Sequence, residues 1–175
     1  MKKSFFIFFL FINLFLSQIA FSNEKIVFID IDFIINTSKA GKDVNTQMQK
    51  VVNEKNKIFK EQETKLIEKE QKLISQKNLL KEEEFKVKIN SFKKEYNEYI
   101  NKKKKTLQNL DKANKEAKLK IYDILKQLLA EYSSKNDISM IVDKKNVIIG
   151  NKKFEITNLI LDELNNKIKN VKLNL

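Results

Sequence analysis

Residues 51–80, VVNEKNKIFKEQETKLIEKEQKLISQKNLL, decide the fold. Val52, Phe59, Leu66, Leu73 and Leu80 fall seven residues apart, and Val87 continues the series. A seven-residue apolar repeat keeps one stripe of a helix turned towards a partner, so the period predicts a coiled-coil-like helix. Val44, Met48, Val51 and Ile58 supply neighbouring seam positions. Further on, Phe85, Ile89, Phe92, Tyr96 and Tyr99 recur by fours and threes, and Leu110, Ala113, Ala117 and Ile124 keep that phase after a lysine-rich interruption. The two series are out of register. Either one rod carries a stutter, or the helix reverses near Lys81–Glu84 and packs back on itself. Between about Thr37 and Tyr132 there is no proline, and the one glycine lies near the start. A single rod of about 96 residues would be ~145 Å long and would strand the two ends of the chain far apart. The hairpin, with its tip near 81–84, is the expected form.

The flanks explain why the ends must meet. Lys25–Asp32, KIVFIDID, is an apolar run that passes into alternation and reads as a strand. Ile138–Val142 and Val147–Ile149 are two more apolar runs, separated by Asp143-Lys144-Lys145-Asn146, and read as a β-hairpin. Thr157 is placed to cap a last helix that carries Leu159, Ile160 and Leu164 on one face and runs to about Lys169. Neither flank can bury a core alone, whereas about 60 residues together can. The expected class is α+β, a long α-helical hairpin projecting from a small β-rich body.

Composition narrows the function. Met1-Lys2-Lys3, an apolar run from Phe5 to Leu16, and Ala20-Phe21-Ser22 read as a secretory signal peptide cleaved near Ser22/Asn23, with an uncleaved membrane anchor as the alternative. No cysteine is available for a lipid or a disulfide. Without His or Cys the usual metal sites and nucleophile–base pairs are missing, so an enzyme is not expected, and neither is a cofactor. Asp30, Asp32 and Asp143 read as strand-end aspartates that start turns rather than as a catalytic carboxylate cluster. Removal of Lys2 and Lys3 leaves 33 lysines against 23 acidic residues, a charge of +10 on the mature chain. That charge favours acidic polypeptides or an anionic lipid or membrane surface. Nucleic acid is not expected, because the chain is exported and has no Arg for bidentate recognition.

Taken in order, the signal peptide, the KIVFIDID strand, the FIINTSKAGKD segment, the charged helical hairpin, ISMIVDKKNVIIG and EITNLILDELN resemble the Skp/OmpH family of periplasmic chaperones. The strongest local matches are Asp30–Gly41, Ile141–Asp143 and Glu155–Asn165. The resemblance implies a homotrimer joined through its bodies, with residues 23–43 plus 133–175 as body and 44–132 as arm. It also implies that the arms enclose unfolded outer-membrane proteins, held without ATP during transit to the outer membrane. No residues here match the lipopolysaccharide patch proposed for the family.

The residues themselves point to two surfaces. Lys102, Lys103, Lys104 and Lys105, beside Tyr96 and Tyr99, form the densest basic and aromatic cluster and are the expected client-facing surface. The apolar strands exceed what a body of about 60 residues can cover. Ile26, Phe28, Ile29, Ile31, Ile141, Val142, Val147 and Ile148 are therefore expected between subunits. The competing class is a structural coiled-coil spacer or adaptor of the envelope, which fits the heptads but leaves the strands and the last helix unexplained.

Overall fold

A computed structural model describes residues 24–175. The signal peptide and its cleavage point at Ser22/Asn23 lie outside the described residues. Strand β1 (Lys25–Ile29) is followed by a short helix α1 (Ile31–Thr37) and two long ones, α2 (Lys39–Gln76) and α3 (Glu82–Lys135). Strand β2 (Ile138–Asp143) and helix α4 (Thr157–Lys167) complete the order, with single 3₁₀ turns at Lys144–Asn146 and Lys152–Phe154.

The body closes by parallel pairing of β1 with β2, in the register Ile26↔Met140, Val27↔Ile141, Phe28↔Val142 and Ile29↔Asp143. Parallel strands require a crossover connection, and here the crossover is the entire helical hairpin. Beneath the sheet Ile29, Ile34, Val44, Ile121, Leu125, Ile160 and Leu164 are almost fully buried. Ile156, just before α4, and Ile160 and Leu164 on it recur every fourth residue and form the inward stripe, while Leu159 stands 44 % exposed and is not part of it. Thr157 is the first residue of α4 rather than its cap. Its buried hydroxyl accepts a hydrogen bond from the Asp30 N–H at 3.0 Å and donates to Glu155 at 3.1 Å, tying α4 to the end of β1.

The expected second hairpin does not form. Asp143 accepts from the Lys145 N–H at 3.2 Å, and Val147 N–H donates to the Lys144 carbonyl at 3.0 Å. The tight turn so made sends Val147–Ile149 away from β2 instead of back along it. Two-residue reversals between antiparallel strands favour positive φ and hence Asn-Gly or Asp-Gly, which Asp143–Asn146 lacks. A different neighbour serves β1 on its other edge: Ile156 N–H donates to the Phe28 carbonyl at 3.0 Å, beside a parallel bridge from Phe28 to Glu155.

The two long helices run antiparallel, and the chain reverses over residues 77–81, ahead of the 81–84 expected from the change of register. Glu82, Glu83 and Glu84 occupy the first turn of α3, where carboxylates meet the positive end of the helix dipole. They start the second helix rather than form the tip. Val87, last of the heptad series, therefore lies on α3 and stands 69 % exposed.

The root of the outgoing arm is a tight joint. Ser38, fully buried between α1 and α2, accepts from the Gly41 N–H at 3.1 Å through its hydroxyl. Gly41 is packed so closely against the Ile35 carbonyl that a Cβ would overlap that oxygen. Gly41→Ala should therefore lower stability by on the order of 2 kcal/mol although alanine is the better helix former, as read from urea unfolding. An equal or higher midpoint would show that the joint has slack.

Candidate functional site

Packing along the arm is discontinuous. The body core extends onto α3 through Ala117, Ile121, Leu125 and Leu128, with Leu110 and Ala113 buried just beyond. Farther out a separate cluster of Phe59, Leu66 and Tyr99, backed by Phe92, closes the seam. Phe59 and Tyr99 meet edge to face, with ring centroids 6.2 Å apart. Between the two clusters the seam carries half-buried Lys55, Lys103 and Thr106. Polar groups at such positions weaken helix pairing, so the arm is held at its root and its middle with a softer span between.

The residues of the basic and aromatic cluster do not share one surface. Tyr99 points into the seam and is 8 % exposed, so its ring is not offered to a ligand. Lys103 lies over that ring, its ammonium 5.6 Å from the centroid and donating to the Tyr99 hydroxyl at 3.4 Å. Tyr96 is 47 % exposed, and Lys102, Lys104 and Lys105 are exposed. Sequence reasoning missed Ile67, Ile74, Ile100 and Leu107, all large, apolar and exposed on the arm. The available signal was their position one residue after a seam site, which turns a side chain about 100° away from the partner helix.

The eight body residues expected between subunits divide as well. Phe28 and Ile29 are 9 % and 1 % exposed and belong to the body's interior, because β1 turns them towards the helices and the 147–156 segment. Ile31, Ile141, Val142 and Val147 are half-buried. Ile26 and Ile148 are exposed, together with Met140 and Ile149; Ile148 is 99 % and Ile149 93 % exposed. A cleft beside the outer edge of β1 is lined by Ile26, Phe28, Val142, Val147, Ile149 and Phe154. Gly150 permits this shape, since a Cβ there would meet the Phe28 ring at 2.8 Å.

Charge pairs brace the same end of the body. Lys144 bonds Glu155 at 2.6 Å. That bond, helped by the Thr157 hydroxyl and opposed by partial burial, holds the Glu155 carboxyl below the usual range and raises Lys144. Burial pushes Asp143 up, but the hydrogen bonds and charge of Lys145 outweigh it and leave Asp143 low. Asp30 caps α1 through the Phe33 N–H at 2.9 Å. Both aspartates thus begin turns, and among the described residues no group of His, Cys, Asp or Glu could hold a metal ion. No helix of the described residues is long and apolar enough to cross a membrane.

These features define an arm-and-body protein, a long antiparallel helical hairpin rooted in a small α/β core that contains both ends of the hairpin. The sequence profile of outer membrane protein (OmpH-like) matches residues 25–164. The chain therefore belongs to the OmpH-like family. Its fold is similar to the crystal structure of a protein from Caulobacter crescentus CB15 described as a candidate outer membrane chaperone (OmpH-like). The TM-score is 0.77 at 15 % identity, over 86 % of this chain and 89 % of that one. No curated protein matches the sequence significantly.

Because the aromatic cluster is separate from the body core, its loss should be felt locally. In Phe59→Ala, hydrogen exchange at residues 52–66 and 92–106 should quicken at least roughly tenfold while body amides keep their protection. Equal loss of protection in arm and body would mean that the two fold as one unit.

Proposed function

We propose that the protein is an ATP-independent holdase that binds unfolded outer-membrane β-barrel proteins in the periplasm and prevents their aggregation in transit. The observation that carries this reading is the arm. Outward of Val44 and Leu110 only Phe59, Leu66 and Tyr99 are buried, and beyond the half-buried seam most side chains of a long hairpin are displayed, apolar residues among lysines. Such a surface offers many weak contacts and no enclosed pocket, which suits a flexible polypeptide whose affinity comes from multiplicity. Residues 1–22 supply the export signal on this reading, and the chain has no glycine-rich loop for a nucleotide.

Assembly as a homotrimer through the body completes the proposal. Ile26 and Met140, paired across the sheet, and Ile148 and Ile149, on the segment after β2, are large exposed apolar side chains of the body, of the kind that neighbouring subunits cover. Several arms then surround one client.

The purified mature protein should keep a urea-diluted β-barrel client soluble without nucleotide. Capture should weaken but not vanish as salt rises, since exposed charges are screened over ~8 Å at physiological ionic strength and apolar contacts are not. Unchanged client aggregation at a molar excess of protein would overturn the reading and leave a passive envelope spacer.

Assembly is checked separately. Ile148→Asp places a charge on a side chain that the body does not use internally, so it should yield folded monomers with an unchanged melting temperature, measured by light scattering and circular dichroism. A wild-type protein that is a stable monomer would refute the trimer.

A further inference from the structure

The hairpin has two unlike sides. Lys65 stands one residue before Leu66, and Lys102 three after Tyr99, so at about 100° per residue each turns about 60–100° from its seam. Because the helices are antiparallel, these turns bring both lysines to the same side of the pair. Two shallow grooves run along that side, one lined by Lys65, Glu98 and Lys102, the next by Lys69, Lys72 and Lys88, with Glu95 at both. Five lysines there face two glutamates, and Glu95 is already held by Lys69 at 2.6 Å. Turned the other way are Ile67 and Ile74, one and eight residues after Leu66, with Tyr96, Ile100 and Leu107, three before and one and eight after Tyr99. They are 49 %, 67 %, 47 %, 42 % and 54 % exposed, and neither groove includes any of them.

We propose that the two sides of the arm divide client capture between them, the lysine side drawing in an acidic unfolded chain and the Ile67–Leu107 side retaining its apolar segments. This rests on the holdase reading above. Charge complementarity commits the occupant: the five lysines and two glutamates that line the two grooves call for an anionic partner, and the apolar side of the same thin hairpin lies within reach of the same chain. Ile67 and Ile74, and likewise Ile100 and Leu107, stand seven residues or about 10 Å apart, with Tyr96 one turn before Ile100. Lys60, Glu63, Glu70 and Lys93 border them. Such a broken stripe cannot form a dry seam with another helix, but it can touch a flexible chain at several points. The two sides then act on different rate constants. Exposed charges attract at a distance and set association, with a strong salt dependence, whereas short-range apolar contacts set dissociation and are not screened.

The test is stopped-flow binding of a fluorescent, urea-diluted acidic β-barrel client at low and high salt. Lys65→Gln, Lys72→Gln and Lys102→Gln together should slow association several-fold at low salt, leave dissociation unchanged and match wild type at high salt. Ile100→Ser with Leu107→Ser should leave association unchanged and speed dissociation about tenfold at both salts. All five side chains are exposed, so both variants should melt as wild type does. If both variants change the same rate constant, or the serine variant dissociates like wild type, the division of labour is wrong. Lysine variants that lose binding to phosphatidylglycerol vesicles while capturing client normally would assign that side to a membrane and overturn the proposal. A serine variant with altered mass in solution would assign the apolar side to a second copy and overturn it too. A wild-type protein that captures no client overturns the holdase reading itself, which separates that failure from this one.

Discussion

Everything outward of Val44 and Leu110 depends on the pairing of β1 with β2. The strands are parallel neighbours although the whole hairpin lies between them in sequence, and α4 locks the pair from the other edge through Phe28 and Asp30. Closing so long a connection costs little more than closing a shorter one, because loop-closure entropy grows only with the logarithm of length. The helices also remove most of that freedom by being stiff. The consequence is a body that carries a long arm at small cost, provided that its core holds both roots. Ile34 and Val44 secure the outgoing root, and Ile121 and Leu125 the returning one, all four at 0 % exposure.

Stability then falls along the arm. At the root each turn of α3 contributes buried side chains to a core shared with two strands and three other helices. At the middle the only partner is the facing helix, and the packing reduces to three buried side chains with Phe92 against them. The ion pairs on the arm do not change this ordering. Lys69–Glu95, Lys112–Glu116 and Lys115–Asp111 are solvent-exposed, and such pairs contribute little. Local opening should therefore be easiest toward the tip and hardest in the body.

The parts legible in the sequence were those that a period or a composition can carry. The heptads from Val52 to Leu73 gave the outgoing helix, KIVFI gave β1, although the alternation that extended it to Asp32 is instead the cap and first turn of α1, and the mismatch of registers gave the reversal. What could not be read was set by tertiary geometry. Nothing local distinguishes Tyr96 from Tyr99, yet one is exposed and the other fills the seam opposite Phe59, because a three-residue step crosses the edge of the helix interface. Ile29 and Ile148 look alike as strand isoleucines, but one lies in the core and the other projects from a turn that Asp143 imposes. Thr157 looked like a cap, and its hydroxyl instead bonds the end of a strand 127 residues away in sequence. A seam shift marks where a new helix is already running, which is why the reversal over 77–81 precedes the shift.

The choice of lysine over arginine bears on how such an arm lets go. A guanidinium binds a carboxylate through two parallel hydrogen bonds in a fixed geometry, whereas an ammonium is a hydrated point charge on a flexible stem. Thirty-five lysines and no arginine therefore give strong attraction at a distance and weak commitment on contact. For the fuel-free holdase proposed above that balance would matter, because release would have to follow from the client's own folding outcompeting the arm. A few bidentate contacts would lengthen the residence of every acidic segment and slow that competition. Even if the lysine bias arose from base composition, its physical effect is the same: on the proposed reading the charge steers, and the sparse apolar side chains decide how long the client stays.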